Sequence, residues 1–176
     1  MLKISKSQKS NNIKLNLGCG AKSKHLLGWV NVDSNSEYSP DVVADLEKDW
    51  PFIDSSVDKI YAKAIVEHLD YTHFFNESNR ILKSNGTLTL IVPHFTWPDA
   101  YFPTHKNYFS AEFFVKGFNY HSGTNYGFSV EKCELIFTNN PMLQKIIGFI
   151  PNLNPVLWEK IIHRAVGIRV TLRKIL

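Results

Sequence analysis

Apolar and polar residues alternate from Ile13 onward. Ile13, Leu15 and Leu17 are separated by Lys14 and Asn16, the two-residue period of a strand, and the run stops at Gly18-Cys19-Gly20. Residues 29–33 and 41–45 read as two more short strands, each ending on a carboxylate, Asp33 and Asp45. Pro51 and Asp54-Ser55-Ser56 break the chain before a fourth strand over 57–64. The period turns helical over 71–83, where Phe74, Phe75, Ser78, Ile81 and Leu82 share a face, with Lys83 and Gly86 as stop signals. The β-branched and leucine run 87–92 predicts a strand buried on both faces. Beyond Pro93, residues 107–118 predict a helix with Ser110 as N-cap and Glu112 in its first turn, and 128–137 a long strand. Ile168, Val170 and Leu172 alternate with Arg169, Thr171 and Arg173, a strand with one wet face. The alternation predicts an α/β domain with a mostly parallel sheet and a C-terminal antiparallel pair closing one edge.

A chain of 176 residues, 44% hydrophobic and 20% charged, suffices for one well-filled core and not for two. The expected organisation is a disordered tail over 1–12 and a single domain over 13–176. The tail carries Lys3, Lys6 and Lys9 without the apolar stretch of a signal peptide, and no run of eighteen apolar residues marks a membrane span. Cys19 and Cys133 make no disulfide framework, which points to a reducing, cytoplasmic setting. The net charge of +4 is concentrated in the C-terminal segment, where six basic residues from Pro141 onward face one acid, Glu159. A solvated face is the first reading of that excess; a nucleic acid or an anionic membrane surface is the second. Residues 142–166 are apolar and aromatic, interrupted by Pro151 and Pro155. There Phe149, Leu153, Leu157, Trp158, Ile161 and Ile162, beside Lys145, Lys160 and Arg164, would form either a peripheral-membrane face or a helical cover on the sheet.

The chemistry concentrates at the strand ends. Gly18 and Gly20 lack Cβ atoms where the backbone would approach a ligand, Asp33 is placed to accept ribose hydroxyls, and Asp45 to accept an adenine amine. Each feature alone is more often a turn former; three successive strand ends of this kind are not. Leu15-Asn16-Leu17-Gly18-Cys19-Gly20, Val30-Asn31-Val32-Asp33, Asp41-Val42-Val43-Ala44-Asp45-Leu46, Glu67-His68-Leu69 and Arg80-Ile81-Leu82-Lys83-Ser84-Asn85-Gly86 stand in the order seen in class I S-adenosylmethionine-dependent methyltransferases, which this chain resembles over 13–94. The resemblance implies a Rossmann-like, three-layer α/β/α domain of about seven strands with S-adenosylmethionine across the strand ends. It places Gly18, Cys19 and Gly20 at the methionine part, Asp33 with Ser34 at the ribose, Asp45 with Leu46 at the adenine, and Lys63 and Ala64 beneath the methyl group. The chain also resembles a compact subgroup linked to polysaccharide biosynthesis. It departs from the family in having Lys22 at the third loop glycine and only 12 residues between Gly20 and Asp33, room for two helical turns at most. A dinucleotide loop would need glycine at Ser23, and Gly20-Ala21-Lys22-Ser23 lacks the core of a phosphate loop.

On the acceptor side, methyl transfer to a hydroxyl or amine calls for positioning and for a base near neutrality. His68, His94 and His105 are the candidates, with His94, Asp99 and His105 as a weaker metal-ligand alternative whose spacing is not diagnostic. Tyr101, Phe102, Tyr108 and Phe109 would form an aromatic wall or part of the core. No Asn/Asp-Pro-Pro-aromatic motif follows the fourth strand, and Cys133 lacks the Pro-Cys context of cytosine chemistry. The functions in play are therefore methyl transfer to a small-molecule or glycan-type acceptor, a nucleic-acid methyltransferase, and a non-catalytic cofactor-binding module.

Overall fold

The alternating and β-branched segments pair into one sheet. The computed structural model describes residues 12–117, 125–161 and 164–175, so the tail expected over 1–12 lies, Asn12 apart, outside the described residues, as does Ile162. In chain order the elements are β1 (Lys14–Leu17), β2 (Val30–Asp33), β3 (Val42–Val43), β4 (Val57–Lys63), α1 (Tyr71–Ile81), β5 (Leu82–Pro93), β6 (Phe128–Ile136), α2 (Pro141–Ile147), α3 (Pro155–Ile161) and β7 (Gly167–Lys174). The strands run in the order β3-β2-β1-β4-β5-β7-β6. The first five are parallel, and β7 is antiparallel to both β5 and β6. The chain leaves β1 toward β2 and β3, then returns to the other side of β1 for β4 and β5. Strand order reverses there, and ligands of open α/β sheets bind beyond the carboxyl ends of the strands at such a reversal.

Right-handed crossovers put the β4–β5 and β1–β2 connections on opposite faces of the sheet. The first connection is α1, whose N-cap Asp70 accepts the N–H groups of Thr72 and His73. Its buried Phe74, Phe75 and Ile81 join Leu15, Leu17, Ile60, Ala62, Leu88, Leu90 and Val170 in one core. Each large apolar side chain there contributes on the order of 2 kcal/mol. The second connection is only a 3-10 turn, Lys22–Lys24, and β2 is joined to β3 by another, Ser36–Tyr38. Of the three layers expected, the helical layer on this side is reduced, among the described residues, to turns and to the α2 segment at the sheet edge. The strand run 87–92 is accordingly buried on one face only: Leu88, Leu90 and Val92 are buried, while Thr87, Thr89 and Ile91 are half-buried.

Two elements depart from their expected bounds. Helix α1 stops at Ile81 because Leu82 pairs with Val57 and is buried, while Lys83 Nζ lies 2.8 Å from Asp58; tertiary pairing draws these residues into β5. The helix expected over 107–118 does start after Ser110, whose hydroxyl accepts the Phe113 N–H at 2.9 Å, but it passes at once into a π-helical turn, Phe113–Gly117, and Phe118 lies outside the described residues. The outer edge of β6 is closed by two side-chain amides. Asn152 accepts the Leu135 N–H at 2.7 Å, and Gln144 accepts the Phe137 N–H at 2.8 Å and donates to the Leu135 carbonyl at 2.8 Å.

Candidate functional site

The tips of β1, β2, β3 and β4 converge. Gly18 and Gly20 both take positive φ, 64° and 61°, the conformation that favours glycine. A Cβ on Gly18 would lie 2.7 Å from the Ile65 side chain, so β1 and the turn after β4 meet over bare backbone. Gly20 N–H donates to Asp33 Oδ2 at 2.8 Å, and Asn35 N–H donates to Asp33 Oδ1 at 3.0 Å. A carboxylate offers about four acceptor positions, so two remain on Asp33 for ligand hydroxyls. The Ala44 N–H donates to the Asp33 carbonyl at 3.0 Å, tying the tip of β3 to that of β2. Bare backbone beside an oriented carboxylate fits an adenosine-bearing cofactor.

The remaining residues expected at the cofactor are less uniform. Ser34 and Asp45 are exposed. The Asp45 carboxyl is held below its usual range, first by the Glu47 N–H and then by Lys48. Leu46 is buried and its carbonyl accepts the Trp50 indole N–H at 3.2 Å, which makes it part of the floor. Cys19 is buried, and burial together with the Asp33 charge pushes its thiol up to about 11. Its Sγ lies 3.4 Å from His25 Nε2, which is also 3.2 Å from the Gly20 carbonyl. His25 thus braces the loop where a longer helix would otherwise pack, a role that no local pattern announces. Beneath it, Asn31 accepts from Asn16 and from the Leu26 N–H, both at 2.9 Å, and donates to Asp41 at 2.9 Å. The Asp41 carboxyl is lowered by these bonds, that of the Asn31 backbone N–H first.

The structure separates the three candidate histidines. His94 is 0% exposed; its Nε2 lies 3.1 Å from Glu159 and its Nδ1 2.6 Å from the Thr96 hydroxyl. The same Glu159 oxygen accepts the Ala111 N–H. With both ring nitrogens engaged, His94 clamps the end of β5 to α3, and among the described residues the metal-ligand trio His94, Asp99 and His105 does not assemble. His68 and His105 do meet, ring to ring, with centroids 4.5 Å apart. Glu67, which stands next to His68 in the chain, joins them, and burial pushes its carboxyl up.

Lys63 and Ala64 line a cavity of about 560 Å³ at the ends of β4 and β5, with Trp97, Asp99, Thr138 and Asn139. It shares Lys63, Ile91, Ile136, Thr138 and Asn139 with a neighbouring cavity of about 680 Å³ that reaches Lys145, Phe149, Leu153 and Arg169. The two form one groove. The expected aromatic wall divides: Tyr101, Phe102 and Tyr108 are exposed, whereas Phe109 is core.

A family model described as a methyltransferase domain matches residues 15–90. No curated protein matches the chain. Among solved structures, an S-adenosylmethionine-dependent methyltransferase from Archaeoglobus fulgidus is 18% identical with a TM-score of 0.64, covering 93% of this chain and 86% of its own. One from Mesorhizobium loti is 16% identical with a TM-score of 0.56, covering 92% and 90%. The geranyl diphosphate C-methyltransferase of Streptomyces coelicolor is 13% identical with a TM-score of 0.57, covering 94% and 71%. At these identities the likeness to solved structures concerns the fold. The domain match spans the converging strand tips and the fold continues beyond them. The chain thus carries a methyltransferase-domain match over 15–90 on a fold shared with S-adenosylmethionine-dependent methyltransferases.

Proposed function

We propose that this enzyme transfers a methyl group to an anionic acceptor of small-molecule or glycan type. Gly18, Cys19 and Gly20 would take the methionine part of the cofactor, Asp33 with Ser34 the ribose, Asp45 over Leu46 the adenine, and Lys63 with Ala64 the methyl end. The observation that carries the reading is Asp33, held between the Gly20 and Asn35 N–H groups with acceptor capacity left over. S-adenosylmethionine supplies an electrophilic methyl group when bound; the protein's own contribution is positioning. The groove beside Lys63 and Ala64 receives the acceptor. Lys63 and Lys145 in its lining, neither in an ion pair among the described residues, favour an anionic group, and Asp99 is the acid on its wall able to take a proton from an acceptor hydroxyl. His68 and His105 meet beside the loop that carries Asp99, whereas His94 has no ring nitrogen left for that work.

Calorimetric titration with S-adenosylmethionine should show saturable binding that Asp33→Ala weakens at least tenfold; an intact protein that binds none ends the reading. Radiolabelled methyl transfer should favour phosphorylated or carboxylated glycans over neutral ones. The nucleic-acid alternative loses support from the basic segment itself. Arg169 and Arg173 pair with Glu134 and Glu131, Lys160 with Glu112, and Lys174 donates to backbone carbonyls of Asn79 and Leu82.

A second reading concerns an anionic membrane surface. No helix among the described residues is long and apolar enough to cross a membrane. Around α2 and α3, however, Met142, Ile146, Leu157 and Ile161 are exposed, as are Phe149 at 68% and Leu153 at 73%. Trp158 instead packs against the core. An apolar face flanked by exposed Lys145, Lys160 and Arg164 has the composition of an interfacial surface. Its Phe149 and Leu153 line the groove, which suits a lipid-linked acceptor. Flotation with anionic liposomes, lost on Phe149→Ser with Leu153→Ser, is the expected result; equal flotation of the variant would refute it.

A further inference from the structure

We propose that Glu67, His68 and His105 form a binding site for a divalent transition-metal ion, best matched by Zn2+. The three side chains come from two separated turns, yet one ligand atom from each lies within 4.8 Å of the others. The histidines are already set for coordination. His68 Nδ1 lies 3.2 Å from the Thr104 carbonyl and His105 Nδ1 lies 2.9 Å from the Ala100 carbonyl. A carbonyl only accepts, so each Nδ1 carries the proton and each Nε2 presents a lone pair, the arrangement usual for metal-bound histidine.

The second, independent observation is Glu67 itself. It is 1% exposed, and its Oε2 has no hydrogen-bond partner among the described residues. A buried carboxylate without a partner is costly, and an ion offsets that cost. Two imidazoles and one carboxylate form a nitrogen-rich set that favours Zn2+ over Mg2+ or Ca2+ and leaves a fourth position open. Ligand atoms about 2.1 Å from a tetrahedral ion lie about 3.4 Å apart, so the cluster needs to contract by at most about 1.4 Å.

The surrounding backbone is braced for this. The Glu67 carbonyl accepts the Lys106 and Asn107 N–H groups at 2.7 and 3.2 Å, and the Asn107 amide donates to the carbonyls of Val66 and Leu69. The ion therefore staples the turn after β4 to the loop through 99–105, whose Asp99 lines the acceptor cavity. Coordination also commits the Nε2 lone pairs of His68 and His105, which removes both from service as general bases and leaves Asp99 as the acid on the acceptor wall.

The full chain, stripped with a chelator and titrated with Zn2+ alone, should bind one ion with micromolar or tighter affinity. His68→Ala and His105→Ala should each weaken binding at least a hundredfold and the isosteric Glu67→Gln at least tenfold, while His73→Ala, on α1, leaves it unchanged. Zn2+ at a hundredfold excess over Kd should raise Tm by roughly 5–10 °C. Co2+ in its place should give the visible spectrum of a tetrahedral nitrogen–oxygen site. Absence of stoichiometric Zn2+, or binding that Glu67→Gln and His105→Ala leave intact, overturns the site. Should a histidine variant fail to fold, Glu67→Gln and the Co2+ spectrum of the unmutated chain still decide.

Discussion

Replacing Asn31 by alanine tests how the domain manages without a long helix after β1. Asn31 and Asn16 are both buried polar residues under the thinly covered face of the sheet. The substitution removes the acceptor shared by the Leu26 N–H and the Asn16 amide, and one donor to Asp41. Asp41 keeps the Asn31 backbone N–H at 2.7 Å, so its loss is partial. The two orphaned donors are the main cost, at about 1–3 kcal/mol each when buried. Water reaches this face more easily than a closed core, which favours the lower half of that range. The expected total is about 3 kcal/mol, or a fall in Tm of roughly 6–12 °C for a domain of this size. Urea denaturation and calorimetry measure it directly. Asn16→Ala should cost about 1 kcal/mol, because the Leu26 N–H keeps its partner, and the double variant should cost less than the sum of the two. Asn31→Asp sets a second carboxylate beside Asp41 and should be worst at neutral pH, recovering as acid protonates one of the pair. A Tm change under about 2 °C for Asn31→Ala would refute the idea that amides stand in for helix packing.

Other consequences are as direct. Both thiols should resist alkylation in the native state, since burial pushes Cys19 up to about 11 and Cys133 up to about 12. At pH 7.5 fewer than about one Cys19 in a thousand is thiolate. Fast native labelling would contradict this. Glu77 accepts two bonds from Arg80 and one from the Trp50 N–H, and the Arg80 bond leads in holding its carboxyl low. Its contribution to stability should be complete above the unfolded carboxylate pKa of about 4.3 and fade as pH falls through the lower folded value. Glu77→Gln should therefore destabilise at pH 7 but approach the parent in acid, as pH-dependent urea melts will read out. His94→Ala leaves Glu159 buried and half-partnered and should cost about 3 kcal/mol or more, without changing cofactor affinity in the fraction that folds. Lys63→Ala should raise KM for an anionic acceptor severalfold and spare cofactor Kd.

The geometry at the tips of β1 and β2 was legible because its signals are local. A glycine that must take positive φ and an acid at the end of a short strand announce themselves within a few residues, and Gly18, Gly20 and Asp33 fall where those signals place them. The surroundings of the histidines are written in long-range pairings. Nothing near His94 foretells that Glu159 will occupy it, and nothing near His105 foretells the approach of Glu67 and His68. The burial of β5 misleads for another reason: threonine favours strands as valine does, so Thr87 and Thr89 hide a wet face within an apparently buried run. Helix α1 ends two residues early because Val57, far back in the chain, claims Leu82.

The thin helical layer and the groove have one origin. A sheet face can stay largely uncovered only if it is polar and satisfies itself, and this one does so across its strands. Thr89 meets Thr171 at 3.4 Å, Arg173 meets Glu131 at 2.6 Å, and Arg169 meets Glu134 at 3.7 Å. Trp29 packs edge-on to Tyr61 and carries Lys14 over its ring. No apolar helix is needed there, so the α2 segment can lean over the β6 edge on its amide contacts and leave a channel beneath it toward Lys63. Refilling that face with leucines should therefore close the acceptor groove without disturbing Asp33. An Arg169→Leu, Thr171→Leu variant that keeps cofactor affinity but loses methyl transfer would show that the reduced layer is what admits the acceptor.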